Sequence, residues 1–202
     1  MGRNPVLLGR LYVGRAPTTD CLNLAAAGVA IDARGFIRVN DRLETNVLGI
    51  WALGDINGGP EYTHVSLDDY RIVKANLIEG GDRSTQGRLV PSCLFIDPEL
   101  AQVGLTETAA QQQGYAIRVV KLEASAIPRA NTLGKTDGLM KAIVDTETDR
   151  ILGCSLLCYE AGEVISTVQR VMLARMPYTV LRDGVLTHPT MTEGLNMLFS
   201  KV

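Results

Sequence analysis

Gly138-Leu139-Met140-Lys141-Ala142-Ile143-Val144-Asp145 and Ile151-Leu152-Gly153-Cys154-Ser155-Leu156-Leu157-Cys158-Tyr159 are two apolar runs joined by the polar stretch from Thr146 to Arg150. Runs of this length, rich in Ile, Val and Leu and separated by a short polar turn, read as paired strands. The flanks extend them into a sheet. Upstream, strands are expected at Leu89 to Phe95, Ala101 to Leu105 and Ala116 to Leu122, with a helix capped at Thr106 and ended by Gly114. Downstream, Val164, Ile165, Val168, Val171 and Met172 recur at helical spacing between Ala161 and Arg175, and Pro177 stops that helix. Residues 88–202 are therefore expected to be an α+β domain whose sheet is mainly antiparallel, with helices packed on it.

The pair Cys154 and Cys158 falls inside the second run. Four residues apart on a strand, both point to one face about 13 Å apart at roughly 3.3 Å per residue, too far for a disulfide. They read as small buried apolar residues, with a redox pair or a metal site as the other reading; no metal site is assigned. Across the 202 residues, 46% are apolar, enough for a packed core, and 20 basic against 22 acidic residues give a net charge of −2 with no basic block. That balance argues against nucleic acid as a partner. No apolar run approaches the roughly 20 residues of a membrane helix, and no signal-peptide pattern opens the chain, so a cytoplasmic location away from membranes is expected.

Residues 1–86 form a different pattern. Leu7 to Val13 reads as a strand running into the turn Gly14-Arg15-Ala16-Pro17-Thr18-Thr19. Leu22 to Ala27 is a short helical stretch closed by Gly28, and Val29 to Val39 a small hairpin. Leu43 to Asp55 is a loop feeding a buried strand that stops at Gly54-Asp55. Glycine there lets a ligand approach the backbone, and the aspartate can accept hydrogen bonds from a polyol; a plain structural turn fits equally. Ser66 and Asp69 read as a capping pair for a helix running to about Glu79, with Tyr70, Val73 and Leu77 as its buried stripe. The polar, glycine-rich stretch from Gly80 to Gly87 is the expected domain boundary.

Near the end, His188-Pro189-Thr190-Met191-Thr192-Glu193 places a histidine before a proline and a carboxylate five residues on. Proline keeps His188 extended, with a helix expected to start around Pro189 or Thr190 and Glu193 about one turn into it. Glu193 can then turn back onto one imidazole nitrogen and leave the other for proton transfer. Alternatively, Glu193 merely complements the positive helix end and His188 is a loop residue.

Gly14-Arg15-x-Pro17-x-Thr19, Thr45 through Ile50-Trp51-Ala52-Leu53-Gly54-Asp55, Val103-Gly104-Leu105-Thr106-Glu107 and His188-Pro189-Thr190-x-x-Glu193 together resemble, in this order, the C-terminal part of the pyridine nucleotide-disulfide oxidoreductases. Glutathione reductase, dihydrolipoamide dehydrogenase and mercuric reductase belong to that family. Ser66-Leu67-Asp68-Asp69-Tyr70-Arg71 is most similar to the branch that includes the reactive-chlorine-resistance flavoproteins. The resemblance implies that residues 1–86 are the α/β remnant of a Rossmann-like FAD-binding domain and residues 88–202 the interface domain of a homodimer. It also implies that Gly14, Arg15, Gly54, Asp55, Thr63 and His64 lie at the cofactor, with Asp55 on the ribityl chain and Thr63 and His64 at a helix start near the flavin N1–C2=O edge. His188 would be the acid/base serving a thiol of the partner subunit, oriented by Glu193. Electrons would pass from NAD(P)H through FAD to a disulfide and then to a small-molecule or disulfide substrate.

The family's FAD fingerprint, redox Cys-x-x-x-x-Cys and nicotinamide fingerprint have no counterpart in this sequence, and Thr18 stands where asparagine is frequent. The chain therefore reads as a fragment, a truncated product or an incomplete gene that does not catalyse dithiol chemistry by itself. The alternative reading is a non-enzymatic dimerisation module.

Overall fold

Met140, Ala142 and Val144 alternate onto one face of the sheet and meet Leu156 and Cys154 of the neighbouring strand in register, so the hairpin forms with its apolar side turned to the core. The computed structural model describes residues 15–202, and the strand expected at Leu7 to Val13, together with Gly14, lies outside the described residues. The chain divides into two compact units, one through Arg88 and one from Leu89.

In the first unit, helix α1 (Leu24–Ala27) ends on Gly28 in the left-handed conformation, φ 69°. Single antiparallel bridges, Ile31 to Ile37 and Glu44 to Trp51, stand where a hairpin and a buried strand were expected. Val29, Ile37 and Ala52 form a small core with Leu24, Val39, Val47, Ile50 and Ile56 against it. The turn Gly54–Asn57 leads to helix α2 (Thr63–Ile78). Two expectations are corrected here. The helix starts three residues before Ser66, so Ser66 and Asp69 are not its caps, and its buried side carries Val65, Asp69, Ile72 and Ala75 while Tyr70 and Leu77 are more than half exposed. The helix is apolar on several sides, and the partners of buried Asp69 decide which side turns inward; those partners are remote in sequence. The polar segment after α2 is tied down within the unit, with Asn76 bonding both the N–H and the C=O of Arg83 and Asp41 holding Thr85 and Gln86.

The second unit is a five-stranded antiparallel sheet in the order β1-β2-β5-β4-β3, built from β1 (Ser92–Leu94), β2 (Glu99–Gly104), β3 (Ile117–Glu123), β4 (Leu139–Asp145) and β5 (Ile151–Cys158). Helix α3 (Glu107–Gln112) precedes β3 and is capped by the Thr106 hydroxyl, which accepts the Ala109 N–H at 3.2 Å. Helix α4 (Pro128–Leu133), for which the sequence reading has no element, shows the expected punctuation of Pro at its first position and Gly134 at its C-cap. Helix α5 (Ala161–Leu173) buries Val164, Ile165, Val168 and Val171 against β2 and β5, about 1.5–3 kcal/mol for each such side chain relative to exposure. Helices α6 (Thr179–Asp183) and α7 (Gly194–Phe199) complete the layer, with α7 against β3 and β4. Cys154 and Cys158 are buried in this core as small apolar residues, and burial, reinforced at Cys154 by the neighbouring thiol and at Cys158 by Glu99, pushes both thiols up to about 12. Such thiols are poor nucleophiles at neutral pH.

Candidate functional sites

The first site is a cleft of about 340 Å³ in the first unit, lined by Arg15, Asp55, Glu61, Tyr62, Thr63 and Ser66. The residue before Asp55 must be glycine. Gly54 has φ +72°, and a Cβ there would lie 2.7 Å from the Ser66 hydroxyl, so the turn packs directly on α2. The Asp55 side chain is half exposed and pairs with Arg15 at 3.5 Å. Arg15 also reaches the Glu61 carboxylate at 3.5 Å and donates to the Glu61 carbonyl at 3.1 Å. Thr63 and His64 are the first two residues of α2, and the imidazole stacks on the Tyr62 ring, centroids 5.1 Å apart. The cap residue Tyr62 gives the first turn no side-chain hydrogen bond, so the positive helix end opens beside the cleft. A carboxylate that accepts from hydroxyls and a helix start that favours negative charge thus border one space, which fits a ligand carrying both a polyol and an anionic edge.

The second site lies in the second unit. Thr190 and Glu193 form a reciprocal capping box: Thr190 Oγ1 accepts the Glu193 N–H at 3.3 Å, and Glu193 Oε2 accepts the Thr190 N–H at 2.8 Å. This corrects the expected helix start. Residues 190–193 are a capped turn, and α7 begins at Gly194 with Glu193 as its N-cap, because the box and the bonds from Gly194 N–H to Met191 and from Leu195 N–H to Thr192 tighten the chain before a helical run begins. The box occupies one carboxylate oxygen. The other, Oε1, lies 3.0 Å from His188 Nδ1. With Glu193 ionised, Nδ1 carries the proton and Nε2 is left to accept one. Burial pushes the Glu193 carboxyl up, but the hydrogen bonds from His188 and the Thr190 N–H outweigh it, and the net pKa is lowered. The carboxylate is well covered at 15% side-chain exposure, while the imidazole is 69% exposed.

Asp69, read from the sequence only as half of a capping pair, and Asn196, which the sequence does not single out, support these sites. Asp69, 1% exposed, accepts the Gly54 N–H at 2.9 Å and Asn57 Nδ2 at 3.1 Å, and pairs with Arg88 at 2.6 Å. Asn196 Nδ2 lies 2.7, 3.2 and 2.9 Å from the carbonyls of Leu181, Arg182 and Gly184, which ties α7 to the end of α6 and the start of the His188 loop. Neither role shows in the spacing, since each residue acts on partners more than ten positions away. No cluster of three or more metal-ligating side chains and no helix long and apolar enough to cross a membrane occur among the described residues.

Residues 90–198 match the family model described as pyridine nucleotide-disulphide oxidoreductase, dimerisation domain, and residues 6–69 match that described as pyridine nucleotide-disulphide oxidoreductase. The chain is 50% identical over 190 residues to the probable pyridine nucleotide-disulfide oxidoreductase RclA of Escherichia coli, covering 94% of this chain and 43% of that protein. It is 40% identical over 185 residues to a dihydrolipoyl dehydrogenase of Thermus scotoductus, covering 91% of this chain and 39% of that protein. A solved structure of RclA from Escherichia coli, described as an HOCl-induced flavoprotein disulfide reductase, superposes with a TM-score of 0.92 at 48% identity over 95% of this chain and 44% of that chain. The chain thus spans less than half the length of these relatives. It belongs to the pyridine nucleotide-disulphide oxidoreductase family.

Proposed function

We propose that this chain carries the acid/base dyad, the dimer-forming domain and part of the FAD site of an NAD(P)H-dependent flavoprotein disulfide reductase acting in the cytoplasm. The observation that carries the proposal is the His188 to Glu193 contact of 3.0 Å, with the imidazole exposed and the carboxylate anchored. Residues 1–86 are read as the flavin-binding part and residues 88–202 as the dimerisation domain.

FAD, when bound, supplies the hydride-accepting ring between NAD(P)H and the disulfide. The chain's own residues bind, orient and move protons. Asp55, whose exposed pairing with Arg15 is weak, would hold a hydroxyl of the ribityl chain. The first turn of α2, at Thr63 and His64, would favour the negative charge that the ring carries when reduced. His188 Nε2 takes the proton of a substrate or enzyme thiol and returns it when a dithiol is released. Glu193 holds the tautomer and stabilises the imidazolium formed in between. The thiol is none of the four cysteines here, since Cys154 and Cys158 are buried and Cys21 and Cys93 lie in other segments; in this reading the partner subunit of the reductase supplies it from a redox pair that has no counterpart in these 202 residues.

In the parent reductase, His188→Gln should slow dithiol turnover about 10²-fold while FAD content stays the same. Equal loss of FAD would make His188 structural. A colourless purified chain with no NAD(P)H oxidation would favour a dimerisation module instead.

A further inference from the structure

Asp69 is a carboxylate in the interior of the first unit, and a buried charge persists only where donors fill its lone pairs. Oδ2 takes the Gly54 N–H and Asn57 Nδ2, and Oδ1 takes the Arg88 guanidinium, which also reaches Asp68 at 3.3 Å. Holding a turn against a helix needs no charge, since an apolar side chain packs as well. What the carboxylate adds is direction. Its two turn-borne donors lie on either side of Asp55 in sequence, one residue before and two after, so the turn cannot slide or rotate on α2 without breaking one of them. On the other side of Gly54, Ser66 leaves no room for even a methyl group. Asp55 is thereby locked relative to the first turn of the same helix, and these are the two groups that border the cleft.

We propose that Asp69, neutralised by Arg88, is a positioning residue for the flavin. It holds the Asp55 carboxylate and the start of α2 at the separation at which the ribityl hydroxyl and the anionic flavin edge are bound together. This rests on the FAD reading above.

Asp69→Asn keeps the shape but replaces one acceptor oxygen by an amide that competes with Gly54, Asn57 and Arg88 for the same space. In the flavin-loaded protein it should weaken FAD binding about tenfold, read by recovery of free-flavin fluorescence. The visible flavin bands and the midpoint potential should shift, while far-UV circular dichroism is unchanged. Asn57→Ala withdraws one of the two turn donors and leaves the buried ion pair intact, so it should fold and weaken FAD about threefold. Asp55→Ala separates the positioning role of Asp69 from flavin binding at the cleft. If it releases FAD while Asp69→Asn and Asn57→Ala both keep wild-type affinity, bands and potential, the positioning role is overturned. If Asp55→Ala itself leaves FAD binding unchanged, the flavin assignment falls and the inference with it. Helix loss in step with FAD loss in both Asp69→Asn and Asn57→Ala would make the role purely structural.

Discussion

At the scale of single residues, the second site depends on how a glutamate divides its two oxygens. One closes a turn with Thr190 and the other meets His188, so fixing the backbone and fixing the imidazole are one act. The lowered pKa of Glu193 has a definite sign in stability. Its folded-state value lies below the ordinary 4.5, so the interaction stabilises the fold fully above about pH 4.5 and is lost as pH falls through the folded value. Glu193→Gln should therefore flatten the fall of the melting temperature between about pH 5 and 3 relative to the wild type. Parallel melting curves for the two proteins over that range would contradict the assignment. The pairing of His188 with Glu193 is legible in the sequence from their spacing and from the proline. The capping box is equally legible as Thr-x-x-Glu, yet the proline directs attention to an earlier helix start than the one observed.

At the scale of elements, β5 lies between β2 and β4, and its Gly153 pairs with Gly104 of β2. A Cβ on Gly153 would lie 2.0 Å from the Leu105 carbonyl oxygen, and the partner Gly104 would place one 2.3 Å from the Leu152 oxygen. Backbone cannot yield as the end of a long side chain can. Gly153→Ala should destabilise the second unit by roughly 3 kcal/mol, measured by urea denaturation, whereas an exposed glycine with open space around it, such as Gly114, is constrained only by its φ of +80°. A fall of less than about 1 kcal/mol would show that the strands part more easily than their register indicates. Helix α5 is the opposite case. Its apolar spacing alone identifies the buried side, because one stripe is apolar and the other polar. In α2 the same spacing misleads, since the buried stripe contains Asp69 and the exposed one Tyr70 and Leu77.

At the scale of the whole molecule, the dimerisation-domain match over residues 90–198 makes self-association the expected state. Sedimentation equilibrium should give twice the chain mass of 21.8 kDa, and the association should survive removal of the flavin, because the match lies in the second unit. A monomer at micromolar concentration would contradict the homodimer. The two sites described lie one in each unit, and the proposed chemistry requires a flavin near the first and a thiol near the second.

The sequence by itself determined the antiparallel sheet and its principal helices, because alternation, helical spacing, proline and glycine act over a few residues and leave their marks there. It also determined the family, through motifs whose order runs along nearly the whole chain. The tertiary structure decided which face of α2 is buried, how Asp69 holds the turn before it, and how Asn196 holds the loop that carries His188. A buried carboxylate or amide is placed by the donors and acceptors that fill its lone pairs and N–H groups, and here those partners come from parts of the chain that meet only after folding.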